Sequence, residues 1–323
     1  MTHLTGLTLG LLATLAWGMT DILGSAVSRR IGSVATSAAA QLTSVGIVLV
    51  LFVATGTGLP REPWVVGAAL ACGLLSGVVY LAYFAALRLG PLSVVSPVMS
   101  VYGGLTVVLS TLLLGEALGP LQGLGVAVAT AGVVLTSVVV QGAGRRPQLA
   151  SRGIVYALVT VVGFAGLTVG LSAPIREAGW LPVLLFVRLA NAAFAWSMLG
   201  VMTIRRRSGA AASLFGGAAF VALDEASADP AEVDPRADLG PARLDWRAVA
   251  LAILVGVFDI GGFIAFVIGL QIAPTWLIGL ASSYGPVIAV LAGVAIIGER
   301  PRPVQWAGLS LVFFSIFLIA PGC

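Results

Sequence analysis

The sequence contains no lysine, a single histidine and two cysteines, and only 9% of its 323 residues are charged. Each shortage removes a class of protein. The lone histidine, His3, leaves no His-based catalytic triad and no His-rich metal site. Cys72 lies in an apolar run and Cys323 is the last residue, so they make neither a disulfide framework nor a metal motif. No glycine-rich phosphate loop follows a strand, because no segment alternates as a strand does. Enzyme chemistry, metals and cofactors are therefore not expected. A soluble domain carries about 25% charged residues because its surface meets water. Most of this chain's surface must meet something else.

What is abundant is apolar: 59% hydrophobic residues and a mean hydropathy of +1.07. Crossing a roughly 30 Å hydrocarbon layer takes about 20 apolar residues of helix. Backbone polar groups must also be satisfied within the layer, which leaves helices or closed barrels. Runs of spanning length fall at 4–24, 32–55, 64–87, 91–114, 120–140, 152–172, 181–203, 247–270, 274–297 and 303–321. They are apolar throughout rather than alternating, so helices are expected. The first run has no basic segment before it and reads as a retained helix, not a signal peptide.

The net charge of +4 would suggest nucleic acid in a soluble chain, but here the arginines sit in short loops beside apolar runs. No nucleic-acid partner is expected. Arg29, Arg30, Arg88, Arg145, Arg146, Arg152, Arg205, Arg206, Arg207, Arg236, Arg243, Arg247, Arg300 and Arg302 follow the odd-numbered spans. Only Arg61 and Arg176 occupy the alternate loops, and Arg188 is inside a span. The positive-inside rule then puts the odd loops in the cytoplasm and both termini outside. Residues 204–246 open with three consecutive Arg and continue through a run of Asp and Glu among Ala, Gly and Pro. That composition predicts a solvated cytoplasmic linker, with a regulatory docking segment as the alternative.

The chain repeats itself. A shift of 183 residues aligns 73–138 with 256–321 without a gap, setting Gly73 on Gly256, Pro91 on Pro274, Glu116 on Glu299, Pro120 on Pro303 and Gln122 on Gln305. Apolar helices matching by chance would duplicate Leu and Val, not Glu, Pro and Gln in register. Five spans per copy is odd, so the second copy enters the membrane from the opposite side. The fold expected is all-α and integral to the membrane: ten transmembrane helices as two inverted five-helix repeats, 1–145 and 146–323. Inverted repeats are typical of carriers that bind substrate near the midplane and rock between two states.

Ala16-Trp17-Gly18, the two Leu/Ile-Gly-Glu blocks and the glycines after them, Gly125, Gly132 and Gly308, resemble the drug/metabolite transporter superfamily, EamA type. The resemblance covers nearly the whole chain, twice. It implies a ten-helix carrier of small metabolites, often an exporter, with a cavity lined by helices 1, 3, 4, 6, 8 and 9. An Arg frequent early in the second helix of each repeat is present as Arg188 but is Gln41 in the first copy, and Phe164-Ala165 stands in the second copy's Trp-Gly place.

Candidate binding and coupling residues follow from what hydrocarbon tolerates. Ionisable groups inside spans are costly and point to function. Asp259 lies near mid-span, where a carboxylate can take up and release a proton during a cycle; a structural carboxylate with a partner is the other reading. Arg188 lies at comparable depth, so an Arg188–Asp259 pair is expected, with Asn191 on the same face. Asp21, one turn after Trp17, reads first as a solvated helix-end residue and second as the mouth of a cavity. Pro97 and Pro286 interrupt helices and free the carbonyls of Ser93 and Ser282. Around them Ser96, Ser100 and Tyr102, and Ser282, Ser283 and Tyr284, could orient a polar ligand. Tyr80 and Tyr83 match Phe263 and Phe266; packing is their first reading and a wall for a flat substrate the second. Glu116 and Glu299 read as caps or loop anchors.

The expected partners are a small-molecule substrate, membrane lipid and protons. The expected function is secondary transport of a small organic metabolite across the bacterial plasma (inner) membrane by alternating access, most simply export with proton coupling or exchange. A sugar or nutrient importer and a lipid-linked sugar flippase subunit are the alternatives.

Overall fold

The computed structural model describes residues 2–89, 95, 98–137, 152–208, 246–285, 287 and 303–319. Ten helices are described: α1 (Thr2–Ile31), α2 (Ser33–Thr55), α3 (Pro63–Leu89), α4 (Tyr102–Leu114), α5 (Pro120–Ser137), α6 (Arg152–Ala178), α7 (Trp180–Ser208), α8 (Trp246–Ile272), α9 (Thr275–Ala281) and α10 (Pro303–Ile319). Six of them, α1, α2, α3, α6, α7 and α8, carry segments long and apolar enough to cross a membrane; α5, α10 and the stretch Val98–Leu114 are shorter apolar helices. Large apolar side chains face outward, with Leu112 75% and Phe317 73% exposed. A surface of this kind suits lipid rather than water.

Sequence and structure agree on helix order and differ at some ends. The first helix runs to Ile31 rather than 24, carrying Arg29 and Arg30 in its last turn. The seventh likewise continues through Arg205–Arg207. Arginines complement the negative end of a helix dipole, so a helix need not stop where its apolar run does. The linker expected at 204–246 otherwise lies outside the described residues, as do Arg145, Arg146, Ser93, Ser96, Pro97, Pro286 and Glu299.

The packing has a two-fold pattern. Helices α1 and α8 pack as α6 and α3 do, and α2 on α8 is answered by α7 on α3. α4 on α6 is answered by α9 on α1. Three further pairs, α2–α7, α4–α9 and α5–α10, each join an element to its own counterpart. Glycine makes these crossings possible. A Cβ on Gly73 would lie 2.6 Å from the Val187 carbonyl oxygen, and one on Gly256 would lie 2.7 Å from that of Ala40. The turns obey the same relation. Gly32 and Gly179 separate the first two helices of each half with φ of 86° and 84°, a conformation that L side chains rarely adopt.

α4 and α9 are broken at matching places. Residue 101 is a turn between the helical residues 98–100 and α4, while 282–284 leave helical geometry after α9. The two broken helices cross at glycines, with Gly103 against Ser283 and Gly279 against Thr106. Their interrupted ends reach the middle of the molecule, where the helices leave a space.

Candidate functional site: a cavity between the halves

That space is a cleft lined by residues of both halves. α1 contributes Thr14, Trp17, Gly18, Thr20 and Asp21, and α3 contributes Tyr80 and Tyr83. α6 adds Phe164, Leu167, Thr168 and Leu171, and α8 adds Asp259, Phe263 and Phe266. The breaks add Met99, Ser100 and Tyr102 on one side, and Ser282, Ser283 and Gly285 on the other. Both halves therefore build the wall, and the contributing helices are the six that the family resemblance implies.

Asp259 is the centre of the polar arrangement. Its Oδ1 accepts a hydrogen bond from Tyr80 Oη at 2.6 Å, and its Oδ2 pairs with Arg188 Nη1 at 2.9 Å. Arg188 and Asp259 meet as their comparable depths in the sequence predict. The same Nη1 donates to Gln41 Oε1 at 2.9 Å. Gln41 and Arg188 are 147 residues apart and are each other's counterparts, so the pseudo-axis passes between them. The guanidinium also lies over the Phe263 ring, 4.1 Å from its centroid. At 1% and 2% exposure the ion pair is fully enclosed. Nε and Nη2 of Arg188, Nε2 of Gln41 and both amide atoms of Asn191 find no hydrogen-bond partner among the described residues. Each such orphan costs about 1–3 kcal/mol. The network thus keeps unused donors beside its one ion pair.

Some expectations need correction. Arg188 and Asn191 are fully buried and do not line the cleft; the Phe263 ring covers the Arg188 guanidinium. Tyr284 points away from the cleft and packs with Val133, Leu309 and Val312, so it is not a cavity residue. Asp21 is not a solvated helix-end group: α1 continues for ten residues beyond it, and Asp21 lines the cleft and accepts from Tyr83 Oη at 2.5 Å. Tyr80 and Tyr83 are more than packing, since both face the cleft and both donate to carboxylates. Ser96 lies outside the described residues.

Other candidate residues also gather at the cleft. Trp17 lines the cleft, and its Nε1 donates to the Asp259 carbonyl at 3.3 Å. Phe263 lies beside Trp17, with ring centroids 6.2 Å apart. Tyr102 Oη donates to Ser282 Oγ at 2.7 Å, joining the two broken helices. Ser282 and Ser283 return their own hydroxyls to carbonyls of the preceding turn, Ile278 and Leu280. Thr14 Oγ1 donates to the Ala281 carbonyl at 2.9 Å, covering the end of α9.

Sequence reading missed Gln41 as the second partner of Arg188, and Thr14, Phe164, Thr168 and Leu171 as cavity residues. Phe164 was findable, since it occupies the second copy's place for Trp17. A residue near a pseudo-two-fold axis touches its own counterpart, and that signal would have found Gln41.

At one end of the molecule, Glu116 holds α9. Its Oε1 accepts from the Thr275 N–H at 3.0 Å and its Oε2 from the Trp276 N–H at 3.1 Å. Arg176 Nη2 pairs with Oε1 at 2.9 Å and also reaches the Ala273 carbonyl. Burial pushes the Glu116 carboxyl up, but these hydrogen bonds outweigh it and hold it below the usual glutamate range. Glu116 is the cap that its position predicts, and Arg176 is an unexpected partner.

The EamA-like transporter family model matches residues 4–138 and again 192–320. The chain belongs to the EamA-like transporter family. Its double match accords with the drug/metabolite transporter resemblance and with the two-repeat packing. No curated protein matches the chain. Twenty-nine solved chains do. One, described only as "Crystal structure of protein", is 21% identical, with a TM-score of 0.67 over 98% of this chain and 96% of its own. At that identity the likeness concerns the fold alone. EamA-like membership makes this a multi-pass membrane transporter of small solutes.

Proposed function

We propose that the chain is a secondary carrier that exports a small organic metabolite across a bacterial plasma membrane by alternating access, driven by protons or by exchange. The reading rests on one observation above all: a buried carboxylate, Asp259, faces a cleft between the two halves while an arginine holds it from behind. A buried ion pair loses stability when one partner leaves, by about 3–5 kcal/mol. A proton or substrate that claims Asp259 therefore disturbs Arg188, whose unused Nε and Nη2 lie ready for new acceptors as the halves move. Residues 1–145 and 146–323 are the two rocking units, with the arginine-rich loops in the cytoplasm and both termini outside.

Reconstitution of the full-length protein into vesicles with an imposed pH gradient tests this. Gradient-driven solute flux is expected, and Asp259→Asn should remove its dependence on the gradient. Unchanged flux with unchanged pH dependence in that variant would rule out coupling through Asp259. Labelling of the loops bearing Glu116 and Glu299 should place them on opposite faces of the bilayer; the same face would end the inverted-repeat carrier.

A further inference from the structure

We infer that the solute carried is a compact organic cation, an amine or quaternary ammonium on an aromatic or apolar body. This inference rests on the carrier reading and names the substrate class of the same cleft.

The first observation is the charge of the wall. The cleft holds two carboxylates, Asp21 and Asp259, and no Arg or His among its described lining residues. They are the two acidic residues placed well within the spans, out of thirteen in the chain, and the fold brings both to one cavity. Charge in such a position is too costly to keep without use. Arg188, the basic group that pairs with Asp259, lies under the Phe263 ring and does not line the cleft. An anionic solute would meet the Asp21 carboxylate and, among the described lining residues, no Arg or His.

The second observation is the aromatic arrangement around those carboxylates. Trp17 packs with Phe263 and Phe266 at centroid distances of 6.2 and 5.4 Å. Across the cleft, Phe164 packs with Tyr80, Tyr83 and Tyr102 at 5.7 to 6.1 Å. The two clusters are counterparts in the repeat: Trp17 answers Phe164, Phe263 answers Tyr80, and Phe266 answers Tyr83. Ring faces attract cations through their quadrupole, most strongly where water is excluded. Two aromatic walls, each beside a carboxylate, form a cage for positive charge on a body of matching flatness.

The third observation is that the protein already solvates one cation this way. The Arg188 guanidinium lies 4.1 Å over the Phe263 ring and pairs with Asp259 at 2.9 Å. A ligand ammonium at Asp21, the half-buried carboxylate on the wall, would use the same chemistry. The hydroxyls of Ser100, Ser283 and Thr168, also on the wall, suit N–H or O–H groups on the solute.

The test uses purified full-length protein in detergent and four isosteric probes: phenethylamine, 2-phenylethanol, phenylacetate and phenylalanine, with benzyltrimethylammonium added. Calorimetric titration should show the two cations binding at least tenfold more tightly than the neutral alcohol, with no binding of phenylacetate. Asp21→Asn, a half-buried wall position, should weaken cation binding about tenfold and leave the alcohol unchanged. Trp17→Leu should reduce the preference for benzyltrimethylammonium, which cannot hydrogen-bond. Equal binding of alcohol and amine, tightest binding of phenylacetate or phenylalanine, or no binding by any probe overturns the cation class. Vesicle flux separates this from the carrier itself. Gradient-driven flux of the alcohol or the anion would sink the substrate class and spare the carrier. Tight cation binding without gradient-driven flux would do the reverse.

Discussion

The two halves share one scaffold and divide the chemistry unequally. Where the second half places Phe263 and Phe266, the first places Tyr80 and Tyr83, and their extra hydroxyls are what reach Asp259 and Asp21. Where the second half has Arg188 the first has Gln41, and where the second has Asp259 the first has Ser76. Trp17 in the first half answers Phe164 in the second, and Asp21 answers Thr168. The crossing at Gly73, in contrast, is matched by the one at Gly256, each glycine lying against a backbone carbonyl of the neighbouring helix. Backbone packing must stay symmetric for two mirror-related states to have comparable energy, whereas side chains in the cleft are free to diverge. Symmetry is kept at the Gly73 and Gly256 crossings and lost among the side chains of the cleft.

The sharpest way to break this comparison is to remove one charge from the second half. Asp259→Leu should destabilise the protein by about 3–5 kcal/mol by leaving Arg188 buried without its partner, as read by thermal unfolding in detergent. The double variant Arg188→Met/Asp259→Leu should recover most of the loss. The counterpart change Ser76→Ala should cost about 1 kcal/mol or less, since only one neutral hydrogen bond, to the Gly73 carbonyl, is lost. Equal costs on the two sides would mean that the charge asymmetry has no energetic content.

Next in size is the hydroxyl difference between tyrosine and phenylalanine. Tyr80→Phe removes a hydrogen bond to a charged acceptor and should cost about 1.5–3 kcal/mol. Tyr83→Phe should cost the same or less, because Asp21 is less enclosed than Asp259. The symmetric part of the scaffold is examined by Gly73→Ala and Gly256→Ala, each expected to cost about 1–3 kcal/mol by overpacking against backbone. A large inequality between these two variants would contradict the shared scaffold.

The smallest effect belongs to the ion pair at the end of the molecule. Arg176 is 40% exposed, so Glu116→Gln should cost less than about 1 kcal/mol through its loss of charge. Its sign with pH is informative. The Glu116 carboxyl is held below its ordinary range in the folded protein. Its contribution is therefore complete above the ordinary glutamate value and is lost as pH falls through the lowered folded value. Melting temperatures followed down to pH 3 should converge between the native protein and Glu116→Gln. A gap that widens as pH falls would contradict the assignment.

Much of this was readable in one dimension, and the reason is physical. Hydrocarbon demands long apolar helices with internally satisfied backbones, so composition and run length alone reveal a helical membrane protein. Duplicated Glu, Pro and Gln in register reveal the repeat, and Asp259 and Arg188 stand out because charge in a span is expensive. Tyr80 and Tyr83 were harder, since an aromatic at i and i+3 looks the same whether it packs, faces lipid or donates to a carboxylate on another helix.

The sequence by itself determined the class of fold, the order and number of its helices, the duplication, and the enclosure of Asp259 and Arg188. Only the tertiary structure decided that Asp21 belongs to the cavity, that Phe263 screens Arg188 from it, that Tyr284 turns away, and that Arg176 joins Glu116. Local cost depends on residue type and burial, which a linear pattern encodes. Partnership depends on how distant helices cross and rotate, which is set by the packing of the whole molecule.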